Sequence, residues 1–234
     1  MLKIDRMEKQ LNHMKTMASS LEHRGATEAP LQNIIFDLGG VLVDLTPNRC
    51  FEAFRALGVP NDLSQWVQRN GGKGIFYLLE KGEIDTATFC ARLRELTHLA
   101  LSDTAIQTAW NLFLGEIATY KLDCLLELKK EYRLFLLSNT NDMHWDWVCT
   151  HDFRYQGHEV DHFFEKCYLS QQMKEVKPNL AIFEQLMDDA AILPQETLFI
   201  DDTAANCKAA DTLGMRTYQP KEGEDWRFLF EKKK

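Results

Sequence analysis

The sequence predicts an α/β protein built on a Rossmann-like, doubly wound parallel sheet with an inserted α-helical cap domain. Three observations support this prediction. Short apolar runs alternate with helical patterns over the second half of the chain, which is typical of βαβ units. Three of these runs end in polar residues, as buried parallel strands do at the carboxyl edge of a sheet. A long helical stretch separates the first run from the others, which indicates an insertion.

The elements follow in a regular order along the chain. The first predicted strand spans residues 33–43 and is broken by Gly39 and Gly40. Residues 46–119 are predicted to be helical because apolar side chains recur there at helical spacing, for example from Ile106 to Ile117. The remaining predicted elements are helix 122–131, strand 133–138, a helix from residue 142, strand 163–169, helix 178–189, strand 197–201, helix 204–213 and strand 215–218.

By pattern, the chain divides into three parts. Residues 1–30 are predicted to be an N-terminal helical extension, because Ile4, Met7 and Leu11 begin an apolar stripe with alternating spacings of three and four. This helix either forms a homodimer contact or packs on its own domain, since the stripe is shorter than a coiled coil requires. Residues 31–45 and 120–234 are predicted to form the Rossmann-like core, and residues 46–119 the helical cap.

Composition and charge narrow the classes of partner. The chain has 234 residues and a formal net charge of -8, which disfavours nucleic acid and anionic membranes as general partners. No apolar run is long enough to span a bilayer. The six cysteines are dispersed and include no C-x-x-C pair, so free thiols and a cytoplasmic location are predicted.

Carboxylates follow two of the predicted strands. Asp37 can act as a nucleophile or ligate a metal ion, although a helix N-cap is the simpler role for such a residue alone. Asp201 and Asp202 form an adjacent acidic pair, and two buried acids need a compensating cation. Hard oxygen ligands of this kind suit Mg²⁺. The late acidic pair therefore favours a metal-assisted role for Asp37.

Small polar groups and one lysine complete the set. Ser138 and Asn139 follow another strand, where hydroxyl and backbone N–H groups can hold phosphoryl oxygens. Gly40 lets backbone N–H groups approach an anion closely. Lys177 can neutralise charge on both the nucleophile and a phosphate. Together these residues predict a Mg²⁺-assisted phosphoryl-transfer site whose partner is a small phosphorylated metabolite.

In their order and in their residues, these segments resemble the four motifs of the haloacid dehalogenase superfamily. The resemblance is to the subclass whose helical cap follows the first motif. The resemblance implies a Mg²⁺-dependent phosphatase that hydrolyses a small phosphomonoester, such as a sugar phosphate. Four longer segments look like the bacterial α-glucose-1-phosphatase-like branch of that superfamily: Phe36-Asp37-Leu38-Gly39, Glu80-Lys81-Gly82-Glu83-Ile84, Leu137-Ser138-Asn139-Thr140-Asn141 and Tyr168-Leu169-Ser170-Gln171.

The resemblance also implies a role for each residue. Asp37 would be the nucleophile that accepts the phosphoryl group as an aspartyl-phosphate. Mg²⁺ would be held by Asp37, the Gly39 carbonyl and Asp202, with Asp201 in support. The phosphoryl group would be bound by Ser138, Asn139 and Lys177.

One position departs from the superfamily's pattern. Most of its phosphatases carry a second aspartate two residues after the nucleophile, as general acid and base, whereas this chain has Gly39. General acid–base help is typically worth ~10²–10⁴-fold, so the glycine predicts slower turnover or a substitute acid, for which Asp44 is a candidate. Two other functions stay open: a metal-independent 2-haloacid dehalogenase, and a catalytically weak phospho-ligand-binding or regulatory protein.

Overall fold

The computed structural model describes residues 29–60 and 74–231, which fall into two units. Most of the predicted extension, with its homodimer contact, lies outside the described residues. The smaller unit includes residues 225–231, where a 3₁₀ helix spans Trp226–Phe230. Asp225 caps this helix by accepting a hydrogen bond from the Arg227 N–H at 3.1 Å. The larger unit, residues 31–224, contains every other element.

A five-stranded sheet forms the centre of the larger unit. Its strands are β1 (Asn33–Phe36), β4 (Arg133–Ser138), β5 (Lys166–Leu169), β6 (Thr197–Ile200) and β7 (Arg216–Tyr218). They lie in the order β5-β4-β1-β6-β7, and all neighbouring pairs are parallel. Ile35 of β1 lies opposite Phe135 of β4 and Phe199 of β6, and all three side chains are buried. The predicted parallel α/β sheet is confirmed.

A second, two-stranded antiparallel sheet pairs β2 (Val43–Leu45) with β3 (Leu114–Ile117). Two sequence predictions are wrong here. The strand predicted over residues 33–43 ends at Phe36. The helix predicted to continue as far as residue 117 ends at Asn111. Leu114 and Ile117 are both buried and three residues apart, so their spacing fits a helix face as well as the two ends of a short strand.

Residues 47–111, between β2 and β3, are called the helical insert. Its described helices are α1 (Pro47–Ala56), α2 (Ile75–Glu80), α3 (Thr86–Thr97) and α4 (Asp103–Asn111). The insert has an aromatic centre, because the Phe76 ring lies 5.3 Å from Phe89 and 4.8 Å from Trp110. Asp85 and Ser102 cap α3 and α4 by accepting backbone hydrogen bonds, which satisfies N–H groups that a helix start leaves unpaired.

The other helices follow β3 in the chain. They are α5 (Thr119–Leu128), α6 (Asp142–His151), α7 (Val160–Phe163), α8 (Ser170–Met173), α9 (Leu180–Ala190) and α10 (Ala204–Thr212). Ile182, Phe183 and Leu186 of α9 pack in one apolar cluster with Ile35 and Phe199 of the sheet. This packing fixes the strands whose carboxyl ends carry the polar residues.

The predicted free thiols agree with the structure, in which none of the six cysteines forms a disulfide. Burial raises the pKa of Cys50 to about 12 and that of Cys149 to about 11, so neither is an activated thiolate. Among the described helices, none combines the length and apolar character that crossing a bilayer requires.

Candidate active site

The candidate site lies at the carboxyl edge of the large sheet. Asp37 follows β1, Ser138 ends β4, and Asp201 follows β6. Because β1 lies between β4 and β6, the strand order brings these three positions side by side. The chain fills one side of β1 with β4 and β5 and then crosses to β6 and β7 on the other side. Such a switch point is where open α/β sheets place their ligands.

Lys177 joins the predicted residues into a buried charged cluster. Its Nζ lies 2.8 Å from Asp37 Oδ1 and 2.6 Å from Asp201 Oδ2, and donates a further hydrogen bond of 2.8 Å to the Leu137 carbonyl. The ammonium group thus has three acceptors, one for each proton. Burial lowers the pKa of Lys177, but the two carboxylates outweigh that effect and raise it, so Lys177 is charged.

Asn139 holds Lys177 in place from the end of β4. Its side-chain amide donates to the Lys177 carbonyl at 2.9 Å, and its side-chain oxygen accepts from the Lys177 N–H at 2.8 Å. This pair of hydrogen bonds commits the Asn139 side chain to the lysine backbone. The Asn139 side chain therefore positions the cation, and phosphoryl binding by Asn139 stays a prediction.

Asp201 is fully buried and fully hydrogen-bonded. Besides Lys177, its oxygens accept from the Thr203 N–H at 2.8 Å and from the Asn206 amide, which lies 3.0 Å from each of them. A carboxylate with this many donors is held in one orientation. Asp201 is therefore suited to supporting the cluster rather than to binding a substrate.

Asp37 has one oxygen held and one oxygen open. Oδ1 accepts from Lys177 and from the Leu38 N–H at 2.7 Å, whereas no described residue donates to Oδ2. Burial raises the pKa of Asp37 to about 7, with Asp201 acting in the same direction and Lys177 against it. A nearby cation would favour the charged form.

Three acidic residues offer a cation site. One carboxylate oxygen each from Asp37, Asp201 and Asp202 lies within 4.8 Å of the others. Burial, and then the charge of Asp201, raise the pKa of Asp202 as well. Hard oxygen donors with uncompensated negative charge fit Mg²⁺. Asp37 and Asp202 suit direct ligation, since the Asp201 oxygens are already committed to hydrogen bonds.

Gly40 acts in this site differently from the sequence prediction. Its N–H donates to the Val43 carbonyl at 2.9 Å inside the turn after β1, so that group does not face an anion. Its φ is +75°, and a Cβ there would collide with the Asp202 carboxylate. Gly40 is therefore needed for the close approach of Asp202 to the turn.

A cavity of about 240 Å³ opens above the cluster. Its sheet side includes Asp37, Gly39, Ser138, Asn139, Lys177 and Asp202, so the predicted residues are brought together apart from Gly40 and Asp201. Its opposite wall includes Glu80, Phe76, Trp110 and Phe113, together with His144 of α6. Polar groups on one side and aromatic rings on the other are typical of a small-molecule site.

Several residues of this wall were not among the predicted site residues. The His144 ring stacks 4.9 Å from Trp110, and its Nε2 lies 3.1 Å from the Trp110 carbonyl. A carbonyl only accepts, so Nε2 carries the proton. Burial lowers the pKa of His144 to about 4, so the ring is neutral at pH 7. In the sequence, helical spacing was the visible signal for Trp110 and Phe113, and it indicated only burial.

Asp44, the substitute acid considered from the sequence, lies elsewhere. Its side chain is 70% exposed and its Oδ1 is 3.3 Å from Lys121 Nζ. It does not line the cavity. Asp44 is therefore exposed and paired with the buried Lys121, and the structure does not favour this candidate as the substitute acid.

Comparison with known proteins agrees with this geometry. Residues 31–214 match the family model of the haloacid dehalogenase-like hydrolases. A curated relative, the D-ribitol-5-phosphate phosphatase of Bacteroides thetaiotaomicron, is 36% identical over 197 residues, which cover 84% of this chain and 95% of the relative.

Two solved structures are also similar. A haloacid dehalogenase-family enzyme of B. thetaiotaomicron, in complex with magnesium and inorganic phosphate, is 47% identical with a TM-score of 0.81, covering 86% of this chain and all of that one. A hydrolase of the same family from Porphyromonas gingivalis is 39% identical with a TM-score of 0.80, covering 87% of this chain and all of that one. These relatives support the predicted phosphatase activity and magnesium cofactor, and the chain belongs to the haloacid dehalogenase-like hydrolase family.

Proposed function

We propose that this chain is a Mg²⁺-dependent phosphatase that hydrolyses a small phosphorylated sugar or polyol through an aspartyl-phosphate on Asp37. The observation that carries the proposal is the asymmetry of the Asp37 carboxylate. Lys177 and the Leu38 N–H hold one oxygen, while the other has no donor among the described residues and borders the cavity. An oriented carboxylate with one free oxygen is suited to in-line attack on phosphorus.

The surrounding residues divide the remaining work. Lys177 holds Asp37 and places positive charge where phosphoryl charge accumulates. Ser138 lies at the cavity with its hydroxyl available to a phosphoryl oxygen. Asp37, the Gly39 carbonyl and Asp202 would hold Mg²⁺, with Asp201 in support. When bound, the metal would neutralise charge on the transferring group.

The size of the cavity and the relatives support the substrate class. A volume of about 240 Å³ suits a ligand of a few carbon atoms more than a polymer. The relative at 36% identity is named for D-ribitol 5-phosphate, a phosphorylated polyol. We propose that residues 46–119 form the cap that closes over such a ligand. The α-glucose-1-phosphatase-like branch, the cytoplasmic location and the homodimer contact stay predictions from the sequence.

Two alternatives carry less support. A 2-haloacid dehalogenase needs no metal, whereas Asp37, Asp201 and Asp202 concentrate negative charge that would repel an anionic substrate. A weak phospho-ligand-binding protein is motivated by Gly39, which leaves the usual acid–base position without a carboxylate. Turnover measurements separate this second alternative from the proposal.

The test is phosphate release from a panel that includes D-ribitol 5-phosphate, α-D-glucose 1-phosphate and other small phosphomonoesters, with Mg²⁺ and with EDTA. Asp37→Asn should lower kcat on the order of 10⁵-fold or more, because it removes the attacking charge. Asp44→Asn is the matched control, since the Asp44 side chain is exposed and does not line the cavity. Release that survives EDTA, or that survives Asp37→Asn, would overturn the proposal. Binding without release would favour the regulatory alternative.

A further inference from the structure

Gly39 leaves the proposed reaction without its usual proton donor, and the structure offers another. We propose that Glu80, the last residue of helix α2 in the helical insert, is the general acid and base of this enzyme. The inference rests on the proposed phosphatase function and adds to it the group that protonates the leaving oxygen and activates water.

The cavity contains one carboxyl group that the phosphatase chemistry does not otherwise use. Of the described residues that line it, Asp37, Glu80 and Asp202 carry carboxyl groups. Asp37 and Asp202 belong to the sheet side, whereas Glu80 belongs to the opposite wall. None of the described residues donates a hydrogen bond to the Glu80 carboxyl group. A group that shares the cavity with the nucleophile and has no committed partner is free to meet the leaving oxygen.

The usual position for this acid carries no side chain, because residue 39 is glycine. A Cβ added at Gly39 would lie 3.2 Å from Leu45 Cδ2, so a side chain there would require the Leu45 side chain to shift. Leu45 also lines the cavity. In this chain the proton donor must therefore come from another residue.

Three contacts hold the Glu80 turn against the sheet domain. The Ser170 hydroxyl donates to the Glu80 carbonyl at 2.6 Å, and the Lys174 Nζ donates to the Gly82 carbonyl at 2.6 Å. Gly82 has φ +66°, and a Cβ there would collide with the Gln171 carbonyl. These contacts fix the backbone of Glu80 relative to the sheet edge, although it belongs to the insert. General acids need this kind of fixed placement.

The Ser170 contact also reaches the cavity directly. The Ser170 hydroxyl accepts a hydrogen bond from the Thr140 N–H at 3.0 Å, and Thr140 lines the cavity just after β4. One serine thus links the Glu80 backbone to the loop that follows Ser138. None of the proposed metal or phosphate contacts involves the segments Glu80-Lys81-Gly82-Glu83 and Tyr168-Leu169-Ser170-Gln171. The Ser170 hydrogen bonds give both segments a place beside the cavity.

The surroundings favour a protonated Glu80 near neutral pH. Burial raises its pKa to about 7, and the Lys177 charge acts in the opposite direction. The other titratable residues lining the cavity are Asp37, Asp202 and His144, and on the same turn Lys81 pairs with Glu83 at 3.2 Å. An acid that titrates near the working pH can both give and take a proton.

His144 is the other titratable group on this wall, and it does not meet the requirement. Its Nε2–H is directed to the Trp110 carbonyl. Burial lowers its pKa to about 4, so the ring has no extra proton to donate at neutral pH.

The reaction proceeds in two steps, formation of the aspartyl-phosphate and its hydrolysis. In the first, an Asp37 oxygen attacks phosphorus, the bond from phosphorus to the ester oxygen breaks, and that oxygen takes the Glu80 proton to leave as an alcohol. In the second, the Glu80 carboxylate takes a proton from water while the water oxygen attacks phosphorus. The bond from phosphorus to Asp37 then breaks, which releases inorganic phosphate and restores both Asp37 and protonated Glu80.

The test compares wild type, Glu80→Gln, Glu80→Asp and Glu83→Gln on two substrates with Mg²⁺. D-Ribitol 5-phosphate has an alkoxide leaving group that needs a proton, whereas p-nitrophenyl phosphate has one that does not. We expect Glu80→Gln to lose ~10²–10⁴-fold in kcat on the ribitol ester. On the nitrophenyl ester it should retain a burst of nitrophenol and then stall as the phosphoenzyme, which mass spectrometry detects. The wild-type decline of kcat/KM at alkaline pH should disappear in Glu80→Gln and return in Glu80→Asp.

Glu83→Gln is the matched control, because Glu83 carries the same charge on the same turn but does not line the cavity. Its turnover should equal that of wild type. If Glu80→Gln raises KM alone on both substrates and keeps the alkaline limb, Glu80 binds substrate hydroxyls and the assignment is overturned. If wild type itself releases no phosphate from any ester, the proposed function fails instead, so the two failures are distinguishable.

Discussion

The two walls of the cavity treat charge in opposite ways. On the sheet side, Lys177 and Asp201 are almost fully buried, yet each is paired within 2.6 Å and hydrogen-bonded further. On the opposite wall, burial acts on Glu80 and His144 without any carboxylate–ammonium pair of this kind, and it favours the uncharged form of both. The sheet side therefore holds a buried ion pair, although burial raises the pKa of Asp37 there to about 7. The other wall presents neutral polar groups among aromatic rings.

This difference separates two tasks. Phosphoryl transfer needs charges that do not move during the reaction, and a fully partnered cluster supplies them. Recognition of the rest of the substrate, and proton transfer to it, need groups whose hydrogen bonds are not all committed. Residues at strand ends form most of the sheet side, whereas residues of the insert and of α6 form most of the opposite wall. Changes to one wall should therefore produce different defects from changes to the other.

Removing the central cation should give the largest loss of stability. Lys177→Met leaves Asp37 and Asp201 buried without their partner. We therefore expect the free energy of unfolding to fall by about 3–5 kcal/mol, as it does when other buried ion pairs are broken. We also expect kcat/KM to fall on the order of 10²–10³-fold. Urea unfolding and phosphate release measure the two effects.

Lys208→Met is the control, because Lys208 is exposed on α10 and its loss should change stability by less than about 0.5 kcal/mol. Lys177→Met with the stability and activity of that control would mean that the buried cluster does not hold Asp37. The contrast between the two walls would then lose its basis.

A smaller defect should follow from crowding the metal ligand. In Gly40→Ala, the new Cβ displaces the Asp202 carboxylate, so the Mg²⁺ concentration for half-maximal activity should rise on the order of 10-fold. Gly157→Ala is the matched control, since Gly157 has φ +79° but no atom within 4 Å of the added Cβ. Both variants should lose roughly 1–2 kcal/mol of stability through backbone strain. An equal Mg²⁺ requirement in the two variants would contradict the placement of Asp202 at the metal.

The effect that should be smallest at neutral pH comes from the neutral histidine, and it should grow as the pH falls. The pKa of His144 falls from 6.5 to about 4 on folding, so the unfolded chain binds more protons between these values. Its neutral state therefore contributes full stability above pH 6.5, and about 3 kcal/mol of it is lost as the pH falls to 4.

His144→Phe retains an aromatic ring beside Trp110 but cannot titrate. Its stability relative to wild type should improve as the pH falls from 6.5 to 4, measured by urea unfolding at each pH. His151→Phe, a change at an exposed ring on the same helix, should follow the wild-type pH dependence. A constant difference between His144→Phe and wild type across this range would show that His144 is not held neutral.

Much of the fold and of the sheet-side wall was predictable because both depend on local patterns. In the sequence, Asp, Ser or Asp-Asp directly after an apolar run marks the carboxyl end of a buried parallel strand. The predicted order of elements brought Asp37, Ser138 and Asp201 to one edge without further information. The short strand β3 was missed because four residues with two buried ends carry too little periodicity to distinguish strand from helix.

The opposite wall was not predictable from such patterns. Glu80 ends an apolar helix and reads locally as a solvated residue before a glycine turn. Its position in the cavity depends on contacts with Ser170 and Lys174, which follow it by about ninety residues. The Gly40 N–H, which was predicted to approach an anion, donates instead to the Val43 carbonyl. The Asn139 side chain holds the Lys177 backbone, a role that the sequence did not indicate.

By itself, the sequence determined which strand ends carry acidic and hydroxyl groups and which lysine accompanies them, and hence the class of chemistry. Tertiary structure decided which of these groups hold one another and which remain open to a substrate, as with the two oxygens of Asp37. The physical reason is that strand patterns are local, whereas the partner of a buried charge is chosen by packing between distant segments. The same packing placed Glu80 of the insert in the lining of the cavity that Asp37 borders, where residue 39 offers no carboxyl group.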